Sequence, residues 1–307
     1  MTNNKSPSIY WLASYPKSGN TWTRVFIANL TNEKEAEQDS VDINELNTGA
    51  IASARGWVEG ALGFDINELS HDEIDWLRPT AYRYLSEHND VIGRHKVHDA
   101  YDYVDKHKEQ PLFPDTATKG VLYIVRNPLD VAISFAHHNG QTIDRTVTKM
   151  ANRKATMCGS NKHFATQLRQ KLFSWSEHVK SWLDCPIENK LIVRYEDMKL
   201  NPEPTFTRVA RFLELPDDQV SIVQALAQCS IEKLQDQEAT KGFSEKSASA
   251  KSFFRKGIVG DWQQTLTSEQ VSQIINDHRE VMMRLGYLDK NDAPVLVPEV
   301  SIDAINS

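Results

Sequence analysis

Residues 13 to 22, with the sequence ASYPKSGNTW, have the composition of an anion-binding turn. An apolar run precedes them and apolar residues at helical spacing follow, so the turn ends at a helix N-terminus, where backbone N–H groups and the helix dipole attract negative charge. Gly19 allows a close backbone approach to a ligand, and Lys17 supplies a cation. Because the lysine precedes the glycine and no Gly-Lys-Ser/Thr ends the turn, the pattern does not support an ATP-type magnesium site. Taken alone, the segment also fits a plain helix cap beside a solvated lysine.

Two further segments carry groups suited to phosphate. Arg126 ends a second apolar run, and Ser134 follows about two helical turns later. Near the C-terminus, Arg255, Lys256 and the backbone of Gly257 offer a similar set of donors. Singly, the first arginine could be a surface ion-pair residue and the Arg-Lys pair could be solvated. Three such segments in an acidic chain favour the anion-binding interpretation.

Histidines are the candidates for acid–base chemistry, because an imidazole titrates near neutral pH. Of the ten histidines, His95 and His98 lie in the segment RHKVH, and His137 and His138 follow Ser134. Neither pair has a carboxylate or cysteine motif at ligand spacing, so we expect no metal site. The second pair either contacts a substrate or forms a solvated helix end.

The composition limits the classes to which the chain can belong. It has 307 residues, 40% hydrophobic and 25% charged, as an ordinary globular protein does. The formal net charge of -7 argues against binding of nucleic acid in general. No stretch approaches the ~18–20 apolar residues of a membrane span. Three cysteines without a CxxC pair fit the reducing cytoplasm better than a disulfide framework.

Strand and helix patterns alternate along the chain, which predicts an α/β fold with a mainly parallel central sheet flanked by helices. Short apolar strands are expected at residues 9–12, 121–125 and 191–193, and helices follow each of them. Longer helices are expected over 164–183 and 268–285. In such sheets, ligands bind at the carboxyl ends of the strands, where the three segments above lie.

No Pro/Gly/Ser linker divides the chain, so we predict a single domain over residues 1–290 and a C-terminal tail over 291–307. Two regions depart from the alternating pattern. Residues 31–75 are polar and rich in Asn, Glu and Gly, and residues 236–260 are rich in Ser, Lys and Gly. Because long loops in a compact domain are usually functional or mobile, we interpret the first as an acceptor-side insertion and the second as a lid.

The three anion-suited segments resemble, in the same order, the signature motifs of the PAPS-dependent cytosolic-type sulfotransferases, and the chain is identified as a bacterial-like member. Those motifs are YPKSGxTW, RNPxDxxxS and RKGxxGDW, and the match spans residues 15–262. The resemblance implies a P-loop nucleotide-kinase-like fold. It also implies transfer of a sulfuryl group from 3′-phosphoadenosine 5′-phosphosulfate (PAPS) to a hydroxyl, less often an amine, of a small molecule, leaving adenosine 3′,5′-bisphosphate (PAP).

The resemblance also assigns binding residues. The 5′-phosphosulfate would be surrounded by Lys17, Ser18, Gly19, Asn20 and Thr21. The 3′-phosphate would be held by Arg126, Ser134, Arg255, Lys256 and Gly257. The adenine would be contacted by Trp22, by Tyr195 of a YEDM segment and by Ser230. Trp22 equally fits the apolar stripe of its helix, and Tyr195 equally fits a half-buried strand end.

The RHKVH segment resembles the family's KTH motif, which aligns Lys96 with its lysine and His98 with its general base. His95 remains an alternative one register away. By analogy with phosphoryl transfer, His98 would deprotonate the acceptor while Lys17 and Lys96 offset negative charge, without a metal.

Two departures from the family pattern limit what is carried over. Cys229-Ser230-Ile231 stands where the family often has Thr-Ser-Phe, so one aromatic adenine contact is missing. The family's KxxxTVxxxE dimer stretch is not matched after residue 262, so that dimer is not supported. The expected acceptor is a small-molecule alcohol or phenol in the cytoplasm. An ATP-dependent small-molecule kinase and a catalytically inactive nucleotide-binding module stay open as alternatives.

Overall fold

The computed structural model describes residues 6–32, 40–160, 165–298 and 301–306. The strands are β1 (Ile9–Ser14), β2 (Gly93–Val97), β3 (Thr118–Val125), β4 (Thr156–Met157), β5 (Gln170–Lys171) and β6 (Lys190–Arg194). The first seven helices are α1 (Asn20–Leu30), α2 (Arg55–Leu62), α3 (His71–His88), α4 (Pro128–Asn139), α5 (Ile143–Ala151), α6 (Trp175–Leu183) and α7 (Tyr195–Leu200). The others are α8 (Pro202–Phe212), α9 (Gln219–Gln228), α10 (Ile231–Lys241), α11 (Trp262–Thr265), α12 (Ser268–Arg284) and α13 (Ile302–Asn306).

Four of the strands form a sheet in the order β2-β1-β3-β6, and β4 pairs with β5. Strands β1 and β2 are parallel, with Ile9 opposite Gly93 and Ala13 opposite Val97. Every residue of β1 is buried. A strand that is buried on both faces reads as a continuous apolar run, which is why it could be recognised from the sequence.

The predicted strands and most predicted helices are confirmed. Helix α12 begins as expected with a capping box between Thr267 and Gln270, and it ends before Gly286, whose φ is 74°. The helix predicted over 164–183 is wrong in its first half, because α6 begins only at residue 175. Phe173 has a φ of 55°, which no α-helix contains, and a capping box between Ser174 and Glu177 starts the helix. Phe164 lies outside the described residues.

The two regions that departed from the pattern contain secondary structure. The expected insertion over 31–75 includes α2 and the first turn of α3, and its residues 33–39 lie outside the described ranges. Within the expected lid over 236–260, α10 continues to Lys241 and irregular backbone follows. The assignment of these regions to an insertion and a lid stays a prediction.

The chain divides into two compact units, each made of three separate stretches of sequence. The first unit comprises residues 1–15, 49–123 and 152–190, and the second comprises 16–48, 124–151 and 191–307. The predicted boundaries, 1–290 and 291–307, stay predictions. In the part of the chain that is described, none of the helices is both long and apolar enough to cross a membrane.

Each unit has its own aromatic core. In the first unit, the Trp11 ring lies 4.9 Å from that of Tyr82 and 5.0 Å from that of Phe113, measured between ring centroids. In the second unit, Phe26 of α1 packs 4.4 Å from Phe206 of α8. Such aromatic pairs add to the free energy gained from burying large apolar surfaces, and they stabilise each unit.

Candidate active site

The turn that precedes α1 lies in the second unit and has a strained backbone. Lys17 has a φ of 69° and Gly19 a φ of 109°, and Gly19 is the N-cap of α1. The first turn of α1 contains no acidic residue, and a glycine supplies no capping side chain. The N-terminus of this helix therefore keeps the positive end of its dipole, as an anion site requires.

Tyr195 packs directly against this turn. A Cβ atom on Gly19 would lie 2.8 Å from Cδ2 of Tyr195, closer than side chains approach one another. The guanidinium carbon of Arg126 lies 4.2 Å from the centroid of the same ring, in cation–π contact. The ring is buried, and burial raises the pKa of its hydroxyl. The Tyr195 ring thus packs against both the turn at Gly19 and the guanidinium of Arg126.

Arg126 joins two of the predicted segments. Its Nη1 donates to the carbonyl of Lys17 at 3.3 Å, and its Nη2 donates to the carbonyl of Ile258 at 3.0 Å. Asp130, one helical turn further along α4, lies 3.9 Å from Nη2. The buried Nε atom has no hydrogen-bond partner within the described part of the chain. Arg126 therefore links the backbone at Lys17 to the backbone at Ile258, and its Nε remains as a buried donor.

Ser18 carries a buried hydroxyl just before α1. The residue has 0% exposure, and its Oγ has no hydrogen-bond partner among the residues that the structure describes. A buried polar group without a partner costs about 1–3 kcal/mol. A polar ligand bound at the N-terminus of α1 would give this hydroxyl a partner and remove that cost.

The C-terminal segment is organised by the aspartates of two motifs, Asp261 and Asp130, to which the sequence assigned no role. Asp261 accepts hydrogen bonds from Arg255 and, at 2.7 Å, from Lys256. Burial raises the pKa of Asp261, but the hydrogen bonds from Lys256 and Arg255 outweigh burial and the pKa is lowered. Asp130 accepts from the backbone N–H of Gly260 at 2.8 Å. The two predicted phosphate ligands are thus paired with a carboxylate in this structure.

Phe253 is a feature that the motifs did not reveal. The Lys17 ammonium lies 3.6 Å from the centroid of the Phe253 ring. Glu238 of α10 accepts from the backbone N–H groups of Phe253 at 2.7 Å and of Phe254 at 2.9 Å, which fixes this segment. The sequence signal for this contact is the pair of phenylalanines, Phe253 and Phe254, that precedes the Arg-Lys-Gly run. The cation–π contact holds the lysine over an apolar face rather than in water.

The remaining predicted nucleotide ligands lie in the second unit with different neighbours. Trp22 is half-buried, and its ring packs edge-on against Phe206 at 5.1 Å and against Tyr195 at 5.9 Å. Ser230 caps α10 by accepting from the N–H of Lys233 at 3.5 Å, so its hydroxyl has a local structural role. The others have positions only: Asn20 and Thr21 are buried in the first turn of α1, Ser134 is half-buried on α4, and Gly257 has a φ of 60°.

Glu196, which follows Tyr195, anchors the start of α4. It accepts from the backbone N–H of Asn127 at 3.0 Å and from the Tyr287 hydroxyl at 2.9 Å. Full burial raises the pKa of this carboxyl. The peptide next to Arg126 is therefore fixed by a buried hydrogen bond.

His98 lies directly after β2 in the first unit. Its Nδ1 lies 2.8 Å from the carbonyl oxygen of Ser14 and 3.4 Å from the hydroxyl of the same residue. A carbonyl oxygen can only accept, so Nδ1 carries the proton and donates. In the neutral ring the lone pair is then on Nε2, the atom that can act as a base.

His95, the alternative base, is part of the core. Its Nδ1 donates to the carbonyl of Ala50 at 2.8 Å, and its ring stacks on Trp57 at 4.3 Å. Burial lowers the pKa of His95 to about 4. Because side chains alternate along a strand, Lys96 points to the opposite face from His95, and it is half-buried.

The second histidine pair, His137 and His138, lies in the last turn of α4. His137 is exposed, and burial together with the charge of Arg255 lowers its pKa. The His138 ring meets the Phe253 ring edge-on at 5.8 Å. In the described ranges, no three His, Cys, Asp or Glu side chains are grouped as metal ligands would be.

Comparisons with known proteins place these features in a family. A sequence profile of the sulfotransferase domain matches residues 7–286. A flavonol 3-sulfotransferase of Flaveria bidentis is 26% identical over 282 residues, covering 87% of this chain and 80% of that protein. The human sulfotransferase 1C2 is 24% identical over 288 residues, covering 90% and 83%.

Solved structures share the fold. The mouse sulfotransferase SULT7A1 complexed with PAP has a TM-score of 0.54 at 20% identity, covering 92% of this chain and 86% of that one. A retinol dehydratase in complex with androsterone and PAP has a TM-score of 0.58 at 17% identity, covering 93% and 84%. These similarities confirm the predicted α/β fold with a central parallel sheet flanked by helices. The profile match spans most of the chain, and the chain therefore belongs to the sulfotransferase domain family.

Proposed function

We propose that this protein transfers a sulfuryl group from PAPS to a hydroxyl, less readily an amine, of a small-molecule acceptor. The observation that carries the proposal is that two of the predicted anion ligands, the Ser18 hydroxyl and the Arg126 Nε, are buried donors without a hydrogen-bond partner among the described residues. Both lie in the second unit, as Lys17 does, and a small polyanion satisfies such donors better than water does. Two relatives of the same fold were solved with PAP.

The second unit supplies the proposed nucleotide site. The turn 17–21 binds the 5′-phosphosulfate through the α1 N-terminus and the Ser18 hydroxyl. Arg126, Ser134 and residues 255–257 bind the 3′-phosphate, and hydrogen bonds to Asp261 fix the side chains of Arg255 and Lys256. Trp22 and Tyr195 contact the adenine, whereas Ser230 contributes less because its hydroxyl already caps a helix.

His98 supplies the proposed base. Donation from its Nδ1–H to the Ser14 carbonyl leaves Nε2 to accept the proton of the acceptor hydroxyl. The acceptor oxygen then bonds to sulfur, the bond between sulfur and the 5′-phosphate oxygen breaks, and PAP leaves with that oxygen. Lys17 and Lys96 offset the charge that develops on the oxygens. No step requires a metal ion.

The acceptor is proposed as an alcohol or phenol. One relative is named a flavonol sulfotransferase, and a retinol dehydratase structure holds androsterone, so hydroxylated small molecules are the natural first panel. The relatives compared above are plant and animal proteins, which gives no support to a bacterial-like assignment. A cytoplasmic location, which we also propose, fits relatives named as cytosolic sulfotransferases of Arabidopsis thaliana.

Calorimetry with PAP and with ATP–Mg²⁺ tests the nucleotide site. PAP is expected to bind more tightly, and tighter binding of ATP–Mg²⁺ would favour the kinase alternative. In Ser18→Ala the affinity for PAP should fall about 10-fold or more, because a hydrogen bond to a charged group is lost. The same change should leave the free energy of unfolding of the ligand-free protein unchanged or raised.

The control is Ser53→Ala. Ser53 is also buried, but its hydroxyl donates to Gln167 at 3.4 Å, so this variant should lose stability and keep its affinity for PAP. If Ser18→Ala binds PAP as the wild type does, the hydroxyl is not a ligand and the proposed site is wrong.

A further inference from the structure

One face of α6 donates hydrogen bonds to the backbone that carries His98. His178 Nε2 lies 3.1 Å from the carbonyl oxygen of His98, and Trp182 Nε1 donates to the carbonyl of Asp99 at 3.0 Å. The two donors are four residues apart and thus on the same side of the helix. The hydroxyl of Ser181, on the same helix, accepts from the N–H of Tyr101 at 3.0 Å. Three residues of α6 therefore hold the chain from 98 to 101.

The protonation state of His178 follows from its partners. A carbonyl oxygen only accepts, so Nε2 carries the proton, and Nδ1 accepts from the Tyr123 hydroxyl at 3.0 Å. His178 is fully buried, and burial lowers its pKa to about 3. The ring is therefore neutral near pH 7 with both nitrogens satisfied, which fixes its orientation.

Asp99, the residue after His98, is held from a second direction. Its two carboxylate oxygens accept from Arg78 at 3.1 and 2.8 Å, and one of them accepts from the N–H of Lys171 at 3.3 Å. Arg78 and Asp99 are both fully buried. The paired charges and the α6 donors together leave the backbone at residue 98 little freedom to rotate.

We infer that His178 is a positioning residue for the reaction, because it fixes the backbone of His98 so that the imidazole Nδ1–H stays directed at the Ser14 carbonyl. This inference rests on the proposed function, in which Nε2 of His98 is the base. His178 itself does not touch the reacting atoms in this account. Displacement of a catalytic group by about 1 Å can lower a rate about 100-fold. Loss of the hydrogen bond to the His98 carbonyl is therefore expected to slow the reaction.

The test is a pair of variants at residue 178. His178→Phe keeps the ring volume beside Tyr15 and Tyr123 but donates nothing to the His98 carbonyl. His178→Gln retains a side-chain N–H near the position of Nε2. We expect His178→Phe to lower kcat about 10- to 100-fold with an unchanged KM, and His178→Gln to restore kcat to within about threefold of the wild type.

A double-mutant cycle with His98→Ala separates positioning from folding. If His178 acts through His98, His178→Phe lowers kcat only where His98 is present and has no further effect on His98→Ala. Equal fold losses in both backgrounds would show a general structural role and overturn the inference.

A readout independent of turnover decides the inference even if the proposed function fails. Nitrogen-15 NMR of the histidine side chains should find neutral His98 protonated at Nδ1 in the wild type and in His178→Gln. In His178→Phe we expect a mixture of the Nδ1–H and Nε2–H forms. An unchanged Nδ1–H form in folded His178→Phe would overturn the inference, whereas an inactive wild type with the expected shifts would overturn only the proposed function.

Discussion

Replacement of Gly19 by alanine measures how tightly the nucleotide turn is packed. The residue has a φ of 109°, and an added Cβ would lie 2.8 Å from the Tyr195 ring. A left-handed conformation costs an L-residue about 1–2 kcal/mol, and overpacking adds about 1–3 kcal/mol. The Tyr195 ring cannot easily withdraw, because it is buried and the Arg126 guanidinium lies 4.2 Å from its centroid. We expect Gly19→Ala to lower the free energy of unfolding by about 2–4 kcal/mol.

Two other glycines separate the contributions. Gly63 has a φ of 78° but no atom within 4 Å of an added Cβ, so Gly63→Ala should cost only the backbone strain, about 1 kcal/mol. Gly60 lies inside α2 with open space around it, so Gly60→Ala should stabilise the protein by about 0.5–1 kcal/mol.

Urea unfolding of the three variants, followed by calorimetry with PAP, gives the comparison. Gly19→Ala should be the least stable of the three and the only one with weakened affinity for PAP. A loss of stability no larger than that of Gly63→Ala would refute the packing argument, because the contact with Tyr195 would then contribute nothing.

Three other predictions concern the remaining titratable groups. His95→Gln should leave kcat within about twofold of the wild type, because a core histidine takes no part in proton transfer; a loss of 100-fold or more would make His95 the base. Three buried histidines have a pKa of about 3 or 4 in the folded state, below the unfolded value of about 6.5, so stability is full above pH 6.5. These residues are His95, His178 and His278. For each of them the free energy of unfolding should fall by about 1.4 kcal/mol per pH unit as the pH drops from 6.5 toward the folded pKa. Urea unfolding at pH 7 and at pH 5 measures this loss. Folding lowers the pKa of Asp261, so this carboxylate stabilises the protein above about pH 4 and the stabilisation is lost in acid. Asp261→Asn should therefore lower the free energy of unfolding by about 1 kcal/mol at pH 7 and by less at pH 3. A difference that does not change with pH would contradict the ion pairs.

Much of the fold was predictable because its signals are local. Strand β1 is buried throughout and appears in the sequence as a continuous apolar run. The start of α12 is encoded by Thr267 and Gln270 within one turn. The helix predicted over 164–183 failed because apolar spacing continued through a segment whose backbone is not helical. The correct start is also encoded locally, because Ser174 and Glu177 form the same kind of capping box at residue 175.

The candidate site was predictable as a set of segments but not as a set of contacts. Motif positions identified Lys17 and Arg255 without indicating that Phe253 lies under the first and that Asp261 pairs with the second. Such contacts depend on how loops fold back, and residue spacing does not specify that. The preference for His98 over His95 likewise depends on burial and hydrogen-bond partners, which differ between His95 within β2 and His98 just after it.

The cations of the candidate site contrast with the net negative charge of the chain. A net charge of -7 argues against a general polyanion partner, yet Arg126 has a buried donor without a partner in the described residues. Asp261 offsets part of the charge of Arg255 and Lys256. A locally basic site of this kind suits one small anion and gives no extended surface to nucleic acid.

The most direct test of the central claim is the rate of sulfate transfer from PAPS to a panel of phenols and alcohols, measured for the wild type and His98→Ala at saturating PAPS. We predict that the wild type forms a sulfated product and PAP in equal amounts. We also predict that His98→Ala lowers kcat about 10²- to 10⁴-fold while PAP affinity is retained, as expected for loss of a general base. Sulfated product formed at the wild-type rate by His98→Ala would contradict the account.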